Sequence, residues 1–168
     1  YWKAGSGPPL IFLHGAGERG DDIELLKVHG PPKQVDQGKA FPFILVSPQC
    51  PENTFWDFDV LDAIFDEVTE KYAVDLNRVY LTGLSMGGYG TWLWAPEHPE
   101  RFAALAPICG GGDPGKVEAI KDIPIWVFHG AKDEAVKLEE SEKMVNALKE
   151  LGVDVKFTVY PEAGHDSW

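Results

Sequence analysis

The sequence predicts an α/β fold, a mostly parallel sheet of about six strands with helices on both faces. Three observations lead there. Short apolar runs recur along the 168 residues, segments of helical period lie between them, and glycine- or proline-rich stretches mark the junctions. Strand and helix in alternation call for parallel strands joined by right-handed crossovers.

The apolar runs are Leu10–Leu13, Phe43–Val46, Val79–Leu81, Ala103–Ala106, Ile125–Phe128 and Val155–Val159. Most are apolar at consecutive positions, as strands covered on both faces must be. Between them, Val60, Leu61, Ile64, Phe65, Val68 and Tyr72 make one helical stripe, and Leu138, Met144, Val145, Leu148 and Leu151 make another. Gly152 follows the second stripe as a C-terminal stop. The stretches Gly30-Pro31-Pro32 and Gly110 to Gly115 read as loops at strand ends. No repeat, low-complexity tract or linker divides the chain, so residues 1–168 are expected to form a single domain. The opening Tyr1-Trp2-Lys3 fits a mature form or a domain excised from a longer chain, and carries no signal-peptide pattern.

Composition narrows the function classes. The net charge of −12, spread along the chain, repels phosphate backbones and anionic lipid headgroups, so no nucleic-acid partner is expected. No apolar run approaches the ~20 residues of a membrane span. Two cysteines, Cys50 and Cys109, stand outside any Cys-x-x-Cys pair, so no zinc site is expected. Two cysteines leave the compartment open, with secretion as one option if the chain is a mature form or an excised domain.

In an open parallel sheet the ligand crevice lies outside the carboxyl ends of the strands, so chemistry belongs just after each apolar run. After Val79–Leu81 comes Gly83-Leu84-Ser85-Met86-Gly87-Gly88 and then a segment able to be a helix to about Pro96. This is a G-x-S-x-G turn between strand and helix, the setting that makes Ser85 a candidate nucleophile. Side chains at Gly83 or Gly87 would collide with the neighbouring strand and helix. The hydroxyl is left at a helix N-terminus, where partial positive charge favours a developing anion. The backbone N–H of Met86 is then one candidate donor to that anion. After Leu10–Leu13 comes His14-Gly15-Ala16-Gly17-Glu18-Arg19-Gly20, a small-residue loop able to offer a second N–H, with His14 read as holding the loop.

After Ile125–Phe128 comes His129-Gly130-Ala131-Lys132-Asp133-Glu134, where an acid partner would sit. Asp133 is preferred to Glu134. Asp154 lies at a strand start, the wrong end of the sheet, and Asp113 lies one strand too early. After Val155–Val159 comes Pro161 to Trp168, with His165 as the candidate general base. The order Ser85, Asp133, His165 is the one that this architecture requires. Trp56 and Trp168 are candidate apolar pocket walls, with core or surface packing as the alternative for each.

At these residues the chain resembles the α/β-hydrolase superfamily, and within it the dienelactone hydrolase and phospholipase/carboxylesterase group and polyhydroxybutyrate-depolymerase-like esterase domains. The matching text is His14 to Gly20, Gly83 to Gly88, Phe128 to Asp133 and Ala163 to Asp166. The resemblance implies a triad of Ser85, Asp133 and His165, an oxyanion hole from the backbone of Ala16 and Met86, and hydrolysis of small carboxylic esters without cofactor or metal. Peptidase, thioesterase or acyltransferase chemistry uses the same triad, and a non-catalytic binding module of the same fold would have lost one of its members. The chain departs from the family pattern at both ends: two strands usually precede the first one here, and a helix usually follows the histidine. No insertion is long enough for a lid, which points to short-chain or aromatic esters. If the family strand order holds, the strands before Cys50 and Cys109 lie three inter-strand steps apart, about 14 Å. That exceeds the ~7 Å reach of a disulfide, so two free thiols are expected.

Overall fold

The computed structural model describes residues 7–168; the opening Tyr1-Trp2-Lys3 lies outside the described residues. Six parallel strands form one sheet in the order β2-β1-β3-β4-β5-β6. They are β1 (Pro9–Leu13), β2 (Ile44–Val46), β3 (Tyr80–Leu84), β4 (Ala104–Ile108), β5 (Trp126–Gly130) and β6 (Lys156–Tyr160). The chain runs outward from β1 to β2, crosses back to β3, and then proceeds steadily to β6. The winding therefore reverses between β1 and β3, whose carboxyl ends lie side by side in the register Leu13 to Gly83. This is where an open parallel sheet leaves its crevice.

Four helices connect the strands: α1 (Gly30–Asp36), α2 (Phe58–Lys71), α3 (Met86–Trp94) and α4 (Leu138–Glu150). The main core lies between one sheet face and α2, α3 and α4. It joins Ile11, Leu13, Leu81, Leu105 and Val127 of the strands to Leu61, Val68, Trp92, Met144 and Leu148 of the helices. Alternate strand residues Phe12, Leu45 and Leu84 point the other way and, with Val35 of α1, form a smaller core. The consecutive apolar runs of the sequence thus serve two faces at once.

Local signals account for the helix ends. The Asp57 carboxylate accepts hydrogen bonds from Asp59 and Val60 N–H at the start of α2. Past α4, Gly152 adopts φ +80° and its N–H returns to the Lys149 carbonyl. Asp62 on α2 ties that helix to α3 and the turns after it. Its carboxylate accepts from Trp94 Nε1 at 3.0 Å, from His98 Nε2 at 2.9 Å and from Arg101 Nη1.

Gly30-Pro31-Pro32 is not a loop, as the sequence reading held, but the first turn of α1. The prolines occupy positions where a helix has no use for an N–H, and their fixed φ suits the turn. Gly30 itself sits at φ +60° against the Phe12 ring, which a Cβ would approach to 2.5 Å. Within the glycine-rich stretch, Asp113 caps a 3-10 run over Pro114–Ile120. Cys50 and Cys109 are both free and buried. No described helix is long and apolar enough to cross a membrane.

Candidate active site

β3 ends at Leu84 and α3 begins at Met86, so a single residue turns the chain from sheet to helix. That residue, Ser85, takes φ +53° and ψ −116°, a strained conformation for a side-chain-bearing residue. The turn is held from both sides: Ser85 N–H donates to the Ile108 carbonyl of β4, and its own carbonyl accepts from Tyr89 N–H. Its glycines are required by close approach. A Cβ on Gly83 would lie 2.3 Å from the Gly87 carbonyl oxygen, and one on Gly87 would lie 1.9 Å from the Leu13 oxygen.

The ends of β5 and β6 are drawn together in the same way. Ala131 N–H bonds to the Tyr160 carbonyl, Lys132 N–H to that of Ala163, and Gly130 has no room for a Cβ beside the Gly164 oxygen, 2.1 Å away. This closeness puts the loop after β5 against the loop after β6. His165 Nδ1 then lies 2.8 Å from Asp133 Oδ2, and His165 Nε2 lies 2.9 Å from Ser85 Oγ. Three side chains chosen from three strand ends form one hydrogen-bonded chain.

Asp133 is 5% exposed, and Oδ1 accepts from the N–H groups of Ala135 and Val136 at 2.9 and 2.8 Å. Burial pulls its pKa upward, but the bonds from His165 and from the Val136 and Ala135 backbone outweigh it and hold the carboxyl below its ordinary value. An ionised Asp133 fixes the proton of His165 on Nδ1, which leaves the Nε2 lone pair facing the Ser85 hydroxyl. The arrangement can draw a proton from Ser85 as the oxygen attacks.

The loop after β1 is built with comparable care. His14 is 1% exposed; Nε2 accepts the Cys50 N–H at 2.9 Å, so the ring proton sits on Nδ1 and donates to the Gly15 carbonyl at 2.5 Å. Burial lowers the His14 pKa, which keeps the ring neutral and this tautomer intact. Carbonyl and N–H point oppositely across a peptide plane, so anchoring the Gly15 carbonyl turns the Ala16 N–H away from His14. Glu18 Oε2 takes the Gly15 N–H at 2.7 Å, and Arg19 Nε takes the Ala16 carbonyl at 2.9 Å while Nη1 reaches the Thr54 carbonyl. Ala16 and Met86 each open a short helix, and neither N–H has an acceptor among the described residues.

The two tryptophans take different places. Trp56 is buried, tilted against His14 at 4.7 Å, and closes on Gly90 of α3, besides lining a cavity of about 280 Å³ with Phe55 and Val60. Trp168 is 38% exposed and meets both His165 and His29 edge-on at 5.4 Å. Beyond it opens a polar cavity of about 890 Å³ lined by His29, Lys33, Gln34, Gln37, Asp166 and Trp168.

Glu18 did not stand out in the sequence, although its place three residues after Gly15 is that of a capping box. Cys109 did not stand out either. It lies under the cluster, with its sulfur, an Asp133 oxygen and a His165 nitrogen mutually within 4.8 Å. Such a trio could in principle hold a metal, but the donors do not fit one. The Asp133 and His165 groups already serve each other and Ser85, which leaves the buried Cys109 thiol as the one uncommitted donor of the three.

Comparison with known proteins places the chain in a family. Over 150 residues the chain is 27% identical to the bifunctional acetylxylan esterase/xylanase XynS20E of Neocallimastix patriciarum, a match covering 83% of this chain and 21% of that protein. The crystal structure of a thermostable esterase superposes with a TM-score of 0.80 at 43% identity, covering 91% of this chain and 46% of that one. A ferulic acid esterase gives a TM-score of 0.71 at 20% identity, over 95% and 78%, a likeness of fold. The chain therefore spans less than half the length of the first two relatives. The family model for dienelactone hydrolases matches residues 32–166, which take in every strand after β1 and all three members of the hydrogen-bonded chain. This chain belongs to the dienelactone hydrolase family.

Proposed function

We propose that this domain is a serine carboxylesterase acting on small, short-chain or aromatic carboxylic esters through an acyl-enzyme. The observation that carries the reading is the continuous chain from Ser85 Oγ through His165 to Asp133, with Ser85 held at positive φ. That its relatives include proteins named as esterases supports the same class of bond.

Ser85 attacks the ester carbonyl while His165 Nε2 takes its proton. Asp133 steadies the imidazolium without accepting the proton itself. The oxyanion is met by the N–H groups of Ala16 and Met86, each worth roughly 3–4 kcal/mol of transition-state stabilisation. The alcohol leaves with the proton from His165, and water repeats the sequence to release the acid and restore Ser85. No cofactor enters any step.

A panel of p-nitrophenyl esters of graded acyl length tests the reading. Among the described residues no inserted segment covers Ser85, so rates should be highest at short acyl chains. Ser85→Ala should lose nearly all activity while keeping its fold. A rate climbing steadily to long-chain emulsified esters, or substantial turnover by Ser85→Ala, would overturn it.

A further inference from the structure

The proposed mechanism uses one imidazole on Asp133, yet a second lies beside the carboxylate. His129 is the next-to-last residue of β5, four residues before Asp133, and its ring is completely buried. Its Nε2 lies 2.9 Å from the Val136 carbonyl and 3.3 Å from Asp133 Oδ2, the same oxygen that His165 uses. Its Nδ1 lies 2.8 Å from Ser141 Oγ on α4, and that hydroxyl is also within 2.9 Å of the Gly110 carbonyl after β4.

The ring's proton can be located from these neighbours. Nε2 faces two groups that can only accept, a carbonyl and a carboxylate. A lone pair there would be repelled by both, so the proton sits on Nε2. Nδ1 faces the Ser141 hydroxyl, whose single hydrogen is shared between Nδ1 and the Gly110 carbonyl.

We infer that His129 is a positioning residue for the proposed triad: its Nε2–H holds the carbonyl of Val136, the residue whose own N–H grips Asp133, and its polar edge faces Asp133 Oδ2, while Ser141 of α4 fixes its ring. Asp133 has three donors, Ala135 and Val136 N–H on Oδ1 and His165 on Oδ2, and the His129 Nε2 edge lies 3.3 Å from Oδ2 as an electrostatic neighbour. A carboxylate held at both oxygens keeps its orientation, and His165 inherits it. The polar edge of His129 also draws on the charge of Oδ2, so His165 faces a weaker acceptor than it would without that ring. Two other titratable groups bear on Asp133: the Cys109 thiol beneath it and the Tyr89 hydroxyl on α3. Burial raises the pKa of both and keeps them uncharged, so the balance rests on the two imidazoles.

The inference rests on the serine-esterase reading and is separable from it. Four proteins are compared by kcat, KM and the pH profile of kcat/KM on p-nitrophenyl acetate, with melting temperatures alongside: wild type, His129→Leu, His129→Gln and Ser85→Ala. His129→Leu should lower kcat about 10- to 100-fold, since small misplacements of catalytic groups cost rates of that order, with KM within about twofold. Its acid limb should move upward, because Asp133 then faces His165 without the His129 edge drawing on its charge. His129→Gln, whose amide can place an N–H near the lost Nε2–H, should recover most of both. If His129→Leu does not fold, Ser141→Ala takes its place and should show the same directions more weakly. A folded His129→Leu with a lowered melting temperature but wild-type kcat and an unmoved acid limb would mean that His129 only packs the loop. Full activity in Ser85→Ala would instead sink the esterase reading itself.

Discussion

Gly87 offers a severe test of how the nucleophile turn is built. A methyl group there would place its carbon 1.9 Å from the Leu13 carbonyl oxygen, 2.4 Å from the Leu13 carbon and 2.8 Å from the His14 oxygen. All three are backbone atoms, so no side chain can swing aside. To reach the 3.0 Å that real Cβ atoms respect, the start of α3 must retreat from β1 by at least about 1.1 Å. Ser85 and Met86 travel with it, while His165 stays with β6. Overpacking of this kind costs about 2–4 kcal/mol. In a domain of this size that is a fall in Tm of roughly 4–16 °C. A displacement near 1 Å between Ser85 and His165 should lower kcat/KM about 100-fold. The assay is thermal unfolding followed by circular dichroism, with p-nitrophenyl acetate kinetics on the same samples. Gly17→Ala is the control, because a Cβ there meets nothing within 4 Å. Gly87→Ala with wild-type Tm and kcat/KM would show that α3 does not start against β1 as described.

Two further predictions concern stability and thiol chemistry. The Asp62 pKa is below its ordinary value: burial raises it, but the bonds from Trp94, Arg101 and His98 prevail. Its contribution is therefore full above the unfolded carboxyl pKa of about 3.9 and is lost as pH falls through the folded value. Asp62→Asn should cost about 1–3 kcal/mol between pH 5 and 8, and the difference from wild type should shrink below about pH 4. A difference that stays constant to low pH in urea titrations would refute the ion-pair account. For the cysteines, the native protein should resist a thiol reagent at pH 8, since Cys50 and Cys109 are 2% and 0% exposed and the Cys109 thiol is pushed up to about 12. Unfolding without reductant should release two reactive thiols per chain; none, with a mass two units low, would mean a disulfide.

The strands and the three side chains of the site were legible for one reason. A parallel sheet delivers its chemistry after strand ends, and Ser85, Asp133 and His165 each follow an apolar run. The close approaches at Gly83 and Gly87 were legible because only backbone-to-backbone contact explains glycines on both sides of a serine. What escaped the sequence depends on contacts between distant segments. His14 looked like a loop holder, but its tautomer comes from the Cys50 N–H, 36 residues away. His129 looked like another histidine beside a glycine, because its partner Ser141, tied in turn to the Gly110 carbonyl, lies on another element. The misreading of Gly30-Pro31-Pro32 was of a different kind, since prolines open helices as readily as they interrupt them.

The central claim is that Ser85 is a nucleophile activated by His165. It is tested most directly by intact-mass analysis after treatment with a fluorophosphonate, followed by peptide mapping of the adduct. One phosphonyl group per chain, located on Ser85, absent from Ser85→Ala and formed far more slowly by His165→Ala, is the predicted result. A chain that stays unlabelled, or carries the adduct on another residue, would contradict the account.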